Sequence, residues 1–313
     1  MSRRVFQLTT FLCLIGIVRS ACADDPKSAR DFYERGLVHE RNKRFEAALA
    51  DFSKAIELDP KFTEAYFSRS AIYAGHPKPG MRDYSKAIAD LTKLLDIEPK
   101  GFSARFNRGL YYEYIEEYDN SIADYTKLIE GDTDFSRCGD GKDMSLARAH
   151  HYRGRTYLWH KKDYAKAVAD FDAALRLDLE IEMVHYYRGQ ANQVLKEYRK
   201  ARDDYAIALD RDPDYPQFLK NAAWLLATCP NPKYRNGRRA VELAGKACGN
   251  PGGKGPEYLD TLAAAYAEIG AFDDAVQMQK KAIETPGPIA PDKRIAMQER
   301  LRLYEMGKPY HSD

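Results

Sequence analysis

Residues 150–171 read as the buried faces of helical segments, yet Arg153 stands among the apolar positions. The placement is not isolated. An arginine followed by a small residue occurs as Arg35-Gly36, Arg69-Ser70, Arg108-Gly109, Arg153-Gly154 and Arg188-Gly189. Downstream of each comes an aromatic (Phe45, Tyr84, Tyr118, Tyr164, Tyr198), and three residues later a small side chain (Ala48, Ala87, Ser121, Ala167, Ala201). Three further on stands an aspartate (Asp51, Asp90, Asp124, Asp170, Asp204), flanked by Phe52, Leu91, Tyr125, Phe171 or Tyr205. Pro60, Pro99 and Pro213 close three of these units. The basic period is 34 residues, with local insertions. A desolvated charge is tolerated when it is paired, and the recurring aspartate supplies a partner. The pattern therefore predicts Arg35/Asp51, Arg69/Asp90, Arg108/Asp124, Arg153/Asp170 and Arg188/Asp204 as partly buried structural pairs, within a hairpin or between neighbours, that set register.

This pattern resembles the tetratricopeptide repeat, whose small and aromatic positions and closing proline define two antiparallel helices, A and B. Small residues let the two helices approach, large rings fill the groove between neighbouring hairpins, and proline cannot continue helix B. Two further units keep the frame but lose the charges: 219–228 with 238–248, and 257–268 with 272–284. There the arginine and aspartate positions become Ala222/Leu243 and Leu262/Met278. "AWLLATCPNPKYRNG" and "YLDTLAAAYAEIGAFDDAV" are very like the C-terminal module of many exported bacterial tetratricopeptide proteins. Met297, Leu301 and Tyr304 then form the apolar stripe of an amphipathic helix able to cap the last hairpin. The resemblance, which spans about residues 29–307, implies an all-α fold: an α-solenoid of about seven helix-turn-helix repeats in a right-handed superhelix, plus a C-terminal capping helix. The chain divides into 1–23, a signal peptide; 24–213, five Arg/Asp-paired repeats; 214–284, two apolar repeats; and 285–313, a loop and the cap.

Arg3 and Arg4 precede an apolar run from Val5 to Val18, and Ala21-Cys22-Ala23 offers small residues for a signal peptidase. Cleavage after Ala23 and a periplasmic location are expected, with N-terminal retention or lipidation of Cys22 as the alternatives. Cleavage removes Arg3, Arg4 and Arg19, so 49 basic against 47 acidic side chains become 46 against 47. That balance gives no surface for nucleic acid. Apart from the signal, no span is expected in the mature chain.

Three cysteines remain, Cys138, Cys229 and Cys248. Three cannot complete a disulfide framework; ideal repeat geometry puts Cys229 and Cys248 too far apart to bridge, and the loop inserted between them leaves the pairing open. Asp132, Asp134, Ser136, Asp140 and Asp143 fall at calcium-loop positions, but Arg137 replaces the turn glycine. The segment reads as a solvated acidic loop. The histidines are scattered and no nucleophile or phosphate-loop motif occurs. No catalytic residue, metal or cofactor is expected.

The resemblance further implies that helix A supplies the concave face. Its fifth position reads Tyr33, Phe67, Phe106, His151, Tyr186, Lys220 and Asp260, with Arg155, Gln190 and Trp224 beside it. Aromatic and arginine side chains suit binding. The same rings would equally pack against the next helix A. The lysine and asparagine that clamp a carboxylate in chaperone-binding members are absent, since Tyr33 and Leu37 stand there. The function implied is a non-enzymatic scaffold or adaptor of the bacterial envelope that binds a protein or peptide segment in its groove. Self-association into an envelope assembly is the alternative.

Overall fold

The computed structural model describes residues 26–312 apart from 132, 137–140, 182 and 287–288. The expected signal peptide and Cys138 lie outside the described residues. The described chain forms α1 (Ala29–Arg41), α2 (Phe45–Leu58), α3 (Thr63–Gly75), α4 (Tyr84–Ile97), α5 (Phe102–Tyr114), α6 (Tyr118–Glu130), α7 (Gly141–Thr156), α8 (Tyr164–Leu177), α9 (Val184–Val194), α10 (Tyr198–Arg211), α11 (Pro216–Thr228), α12 (Gly237–Gly249), α13 (Pro256–Glu268), α14 (Phe272–Glu284) and α15 (Pro291–Glu305). A π-helical stretch, Tyr157–Lys161, precedes α8. No strand forms among the described residues beyond one bridge between Gly101 and Asp134.

The fold is an all-α solenoid of helical hairpins, in two compact units. One ends at Thr156 and the other begins at Tyr157. In the first, α1/α2, α3/α4 and α5/α6 are hairpins, and each second helix packs on the first helix of the next, through to α7. In the second, α8 packs on α9, the hairpins α9/α10, α11/α12 and α13/α14 follow, and α15 lies on α14. The change from charged to apolar pairing falls inside this second unit, where α10 meets α11. No helix among the described residues is long and apolar enough to cross a membrane.

Local chemistry sets the boundaries. Ser28 and Asp31 form a reciprocal capping box at the start of α1. Helices α2, α4 and α10 stop two residues before Pro60, Pro99 and Pro213, because the residue ahead of proline is held out of the helical region. The tight turns between paired helices reverse through one left-handed residue: Lys43, Glu116, Lys196 and Gly270, with φ of 58, 63, 63 and 80°.

The arginines are two-sided. Arg35, Arg69, Arg108 and Arg188 each reach the aspartate of their own second helix, with closest contacts of 2.6, 2.6, 2.7 and 2.6 Å. The remaining guanidinium nitrogen turns to the preceding hairpin. Nη1 donates from Arg69 to Ser53 (2.9 Å), from Arg108 to Thr92 (3.1 Å), from Arg153 to Thr126 (2.8 Å) and from Arg188 to Asp172 (2.7 Å). All four acceptors stand two residues after a repeat aspartate. The hydrogen bond from Arg69 to Asp90 holds the guanidinium above its ordinary value. The pair Arg153/Asp170 joins residues of different units and stays an expectation; Asp170 itself is buried.

The small residue after each arginine makes room for a ring. A Cβ added at Gly36 would lie 2.6 Å from the Phe52 ring, and one at Gly189 2.8 Å from Tyr205. In the second hairpin the flanking residue is Leu91, and Ser70 takes the glycine's place.

Two stability outcomes follow from this packing. Asp124→Ala leaves Arg108 in a largely buried site without its carboxylate and is expected to cost about 3 kcal/mol. Thr92→Val removes only the neighbouring hydroxyl and should cost about 1 kcal/mol; urea unfolding of both variants checks the order. Gly36→Ser should cost about 1–3 kcal/mol by overpacking Phe52. Adding Phe52→Leu, which recreates the natural Ser70/Leu91 pairing, should recover part of the loss in thermal melting.

Candidate functional site

The first unit carries an open groove of about 1010 Å³ along the first helices of its hairpins, α1, α3 and α5. Tyr33 and Phe67, two of the expected fifth-position rings, line it together with Phe102, Ser68, Glu64 and Lys100. Tyr33 is fixed from behind: its ring lies 5.6 Å from Phe52 and 5.0 Å from Phe62, and its hydroxyl is 3.5 Å from Ser68 Oγ. Phe67 is half-buried at the edge of the core around Tyr66 and Leu91. On the floor, Thr63 Oγ1 donates to Glu98 Oε1 at 2.8 Å. These rings are rigidly supported and partly exposed, a combination that offers contact area without a large ordering cost.

The other expected positions divide. Phe106 stacks on Phe102 at 5.6 Å and meets Tyr152 edge-on at 5.1 Å, beneath the Arg148 guanidinium. It packs against the next helix more than it faces the groove. Arg155 lies over the Tyr152 ring at 4.6 Å and 3.9 Å from Glu113. Tyr186 takes the second of the two expected roles, packing against the next first helix. Only 6% exposed, it packs against Tyr187, Tyr205 and Phe218, and its hydroxyl accepts from Asn221 Nδ2 at 3.0 Å. The reason is that the bulky Phe218 of α11 closes over it. Gln190 is half-buried on α9. Trp224 is covered by Arg300, whose guanidinium lies 5.2 Å from its ring, and by Tyr310 at 6.1 Å.

One network was not visible in the repeat pattern. Asp260, at the fifth position of the seventh hairpin, receives Arg300 of α15 through two bonds of 2.9 and 2.8 Å, and Gln279 Nε2 at 2.8 Å. The cap is thus bound by a buried ion pair as well as by its apolar stripe of Met297 and Tyr304. The signal available was the pair of polar residues Gln279 and Arg300 at otherwise apolar helix positions.

The inserted loops are structural where they are described. His76 is buried, its Nδ1 accepts from the Lys78 amide at 3.2 Å, and its ring meets Phe45 at 5.3 Å. In the acidic loop, Phe135 packs 5.5 Å from Phe102, and the Asp134 amide donates to Lys100 O at 2.8 Å. Asp134 Oδ1 accepts from the Ser136 amide at 2.8 Å. Asp132, Arg137 and Asp140 of the calcium-loop template lie outside the described residues. Cys229 and Cys248 stand as separate thiols, both pushed up by burial.

His151 gives the site a pH signature. Burial, and then the charge of Arg155, pushes its imidazole down to about 3. The folded value lies below the unfolded one, so the unfolded chain binds the proton more readily. Stability is present above pH about 6.5 and is lost as pH falls toward 3. Relative to His151→Phe, the wild-type chain should lose up to about 1.4 kcal/mol per pH unit between pH 6 and 4, read from urea midpoints across that range.

Tetratricopeptide repeat family models match residues 29–62, 102–134 and 156–216. No curated protein matches the chain at the level of sequence. Among solved structures, a tetratricopeptide repeat protein from Parabacteroides merdae ATCC 43184 is similar with a TM-score of 0.57 at 14% identity, over 88% of this chain and 98% of that one. Pseudomonas aeruginosa pilF is similar with a TM-score of 0.55 at 19% identity, over 74% of this chain and 95% of its own. YrrB, described as a tetratricopeptide protein with an unusual peptide-binding site, gives 0.50 at 18% identity, over 69% and 96%. With the arginine–aspartate frame, the small-residue packing and these matches in agreement, the chain belongs to the tetratricopeptide repeat family.

Proposed function

We propose that this protein is a non-enzymatic scaffold of the bacterial envelope that holds an extended or helical segment of a partner protein in the groove of its first unit. Tetratricopeptide folds serve protein–protein interaction, and that coarse role comes with the family. The finer reading rests on one observation: Tyr33 and Phe67, both half-buried and braced from behind, line an open groove of about 1010 Å³. A groove of this kind gains affinity from a few anchored rings. The near-neutral charge balance of the sequence argues against a partner recruited by bulk electrostatics. YrrB, with the same fold, is described as having a peptide-binding site. The layout of residues 1–23 supports export and, with it, a periplasmic groove.

Self-association is the second reading, favoured by the unpaired cysteine count of the mature chain. Affinity capture from envelope extract with residues 24–313 as bait separates the two. A bait carrying Tyr33→Ala and Phe67→Ala, equally helical by circular dichroism, should lose a protein that the unaltered bait retains. Equal capture by both baits would return these rings to packing. Recovery of the chain itself as the main product, sensitive to reductant, would favour self-association.

A further inference from the structure

The first helices of the sixth and seventh hairpins, α11 and α13, are already occupied. After α15 the chain turns at Gly307, with φ of 67°, and runs without regular structure over residues 308–312. It crosses the C-terminal ends of α11 and α13. The Tyr310 ring lies 6.1 Å from Trp224, and the Arg300 guanidinium sits 5.2 Å from one ring and 5.3 Å from the other. His311 Nε2 is 2.8 Å from Glu268 Oε2. The Ser312 amide and hydroxyl both donate to the Thr228 carbonyl, at 2.8 and 3.0 Å. Thr228 ends α11, where helical carbonyls lack a partner within the helix.

These are the contacts of a bound peptide: a ring in an aromatic and guanidinium slot, a side chain on a carboxylate, and a backbone amide on a carbonyl. The receiving groups are held in place without the segment. Arg300 is tied to Asp260 by two bonds, and Glu268 Oε1 accepts from Arg235 Nε at 2.8 Å. Tyr310, His311 and Ser312 each keep part of their surface in water. A preformed receptor with a partly solvated, irregular occupant is the arrangement of a tethered ligand.

We propose that segment 308–312 is a tethered occupant of a second docking site, at the ends of α11 and α13. In trans the site takes an extended partner segment that carries a tyrosine-like ring, followed by a hydrogen-bonding side chain and a free backbone amide. A short tether presents its ligand at millimolar effective concentration, so the site opens only to a partner that outcompetes it. This is independent of the groove in the first unit.

The test uses a fluorescein-labelled peptide of residues 308–313 as probe. The receptors are the full chain, a chain lacking residues 308–313, and the full-length Tyr310→Ala variant. Fluorescence anisotropy should show at least tenfold tighter binding to the shortened chain than to the full chain, with Tyr310→Ala between them. The probe with Tyr310→Ala should lose most of its binding. No uptake by either helical variant would overturn the proposal. So would loss of helix in the shortened chain, which would make the segment part of the fold. A shortened chain that dimerises in sedimentation without taking up the probe would assign the exposed face to a second copy and also overturn it.

Discussion

The structure depends on an arginine that serves two helices at once. A guanidinium presents a planar fork of donors with fixed directions. Here two nitrogens of Arg69 and Arg108 close on the aspartate of their own hairpin, and the third points backward to Ser53 or Thr92. The first contact fixes the register within a hairpin, and the second fixes one hairpin on the next. Apolar packing alone would leave both registers looser, because small residues and rings can slide by a turn at modest cost. The fork allows one alignment. Its desolvation is tolerable because every strong donor direction is answered.

Glycine and ring depend on this alignment. Phe52 and Tyr205 lie against the backbone of Gly36 and Gly189 because the adjacent arginine and aspartate bring the two helices to that height. Ser70 with Leu91 shows the same joint built with a different pair of volumes. The inner surface inherits its shape from these joints. Tyr33 and Phe67 are presented along one groove because the hairpins beneath them are pinned.

Much of this was legible in the sequence. The hairpins and their order came through the resemblance to the tetratricopeptide pattern, and the arginine–aspartate partners and the apolar stripe of the cap from residue spacing. Those features depend on local periodicity and on residue types with few alternative uses. The backward contacts to Ser53, Thr92, Thr126 and Asp172 were not legible, because hydroxyls and carboxylates on a helix are ordinarily solvated and nothing marks these four until the geometry is known. The role of Tyr186 was left open between binding and packing for a related reason. A ring at the fifth position faces outward or inward according to what the following helix brings, and Phe218 lies 32 positions further along the chain. The coverage of Trp224 by residues 308–312 depended on a fold-back that no periodicity encodes.

The two-sided arginine also governs how such a chain can grow. Each joint needs an arginine on one hairpin and an acceptor two residues beyond the aspartate on the hairpin before it. Any hairpin that carries both can be copied and inserted beside its parent, and the new joint is complete at once. After the fifth hairpin the acceptor position is Ala206 and the arginine position is Ala222, so both halves are lost together. Lengthening by duplication is open along the charged part of the chain and closed at that boundary, where the backward nitrogen of an added copy's arginine would meet Ala206 in place of an acceptor.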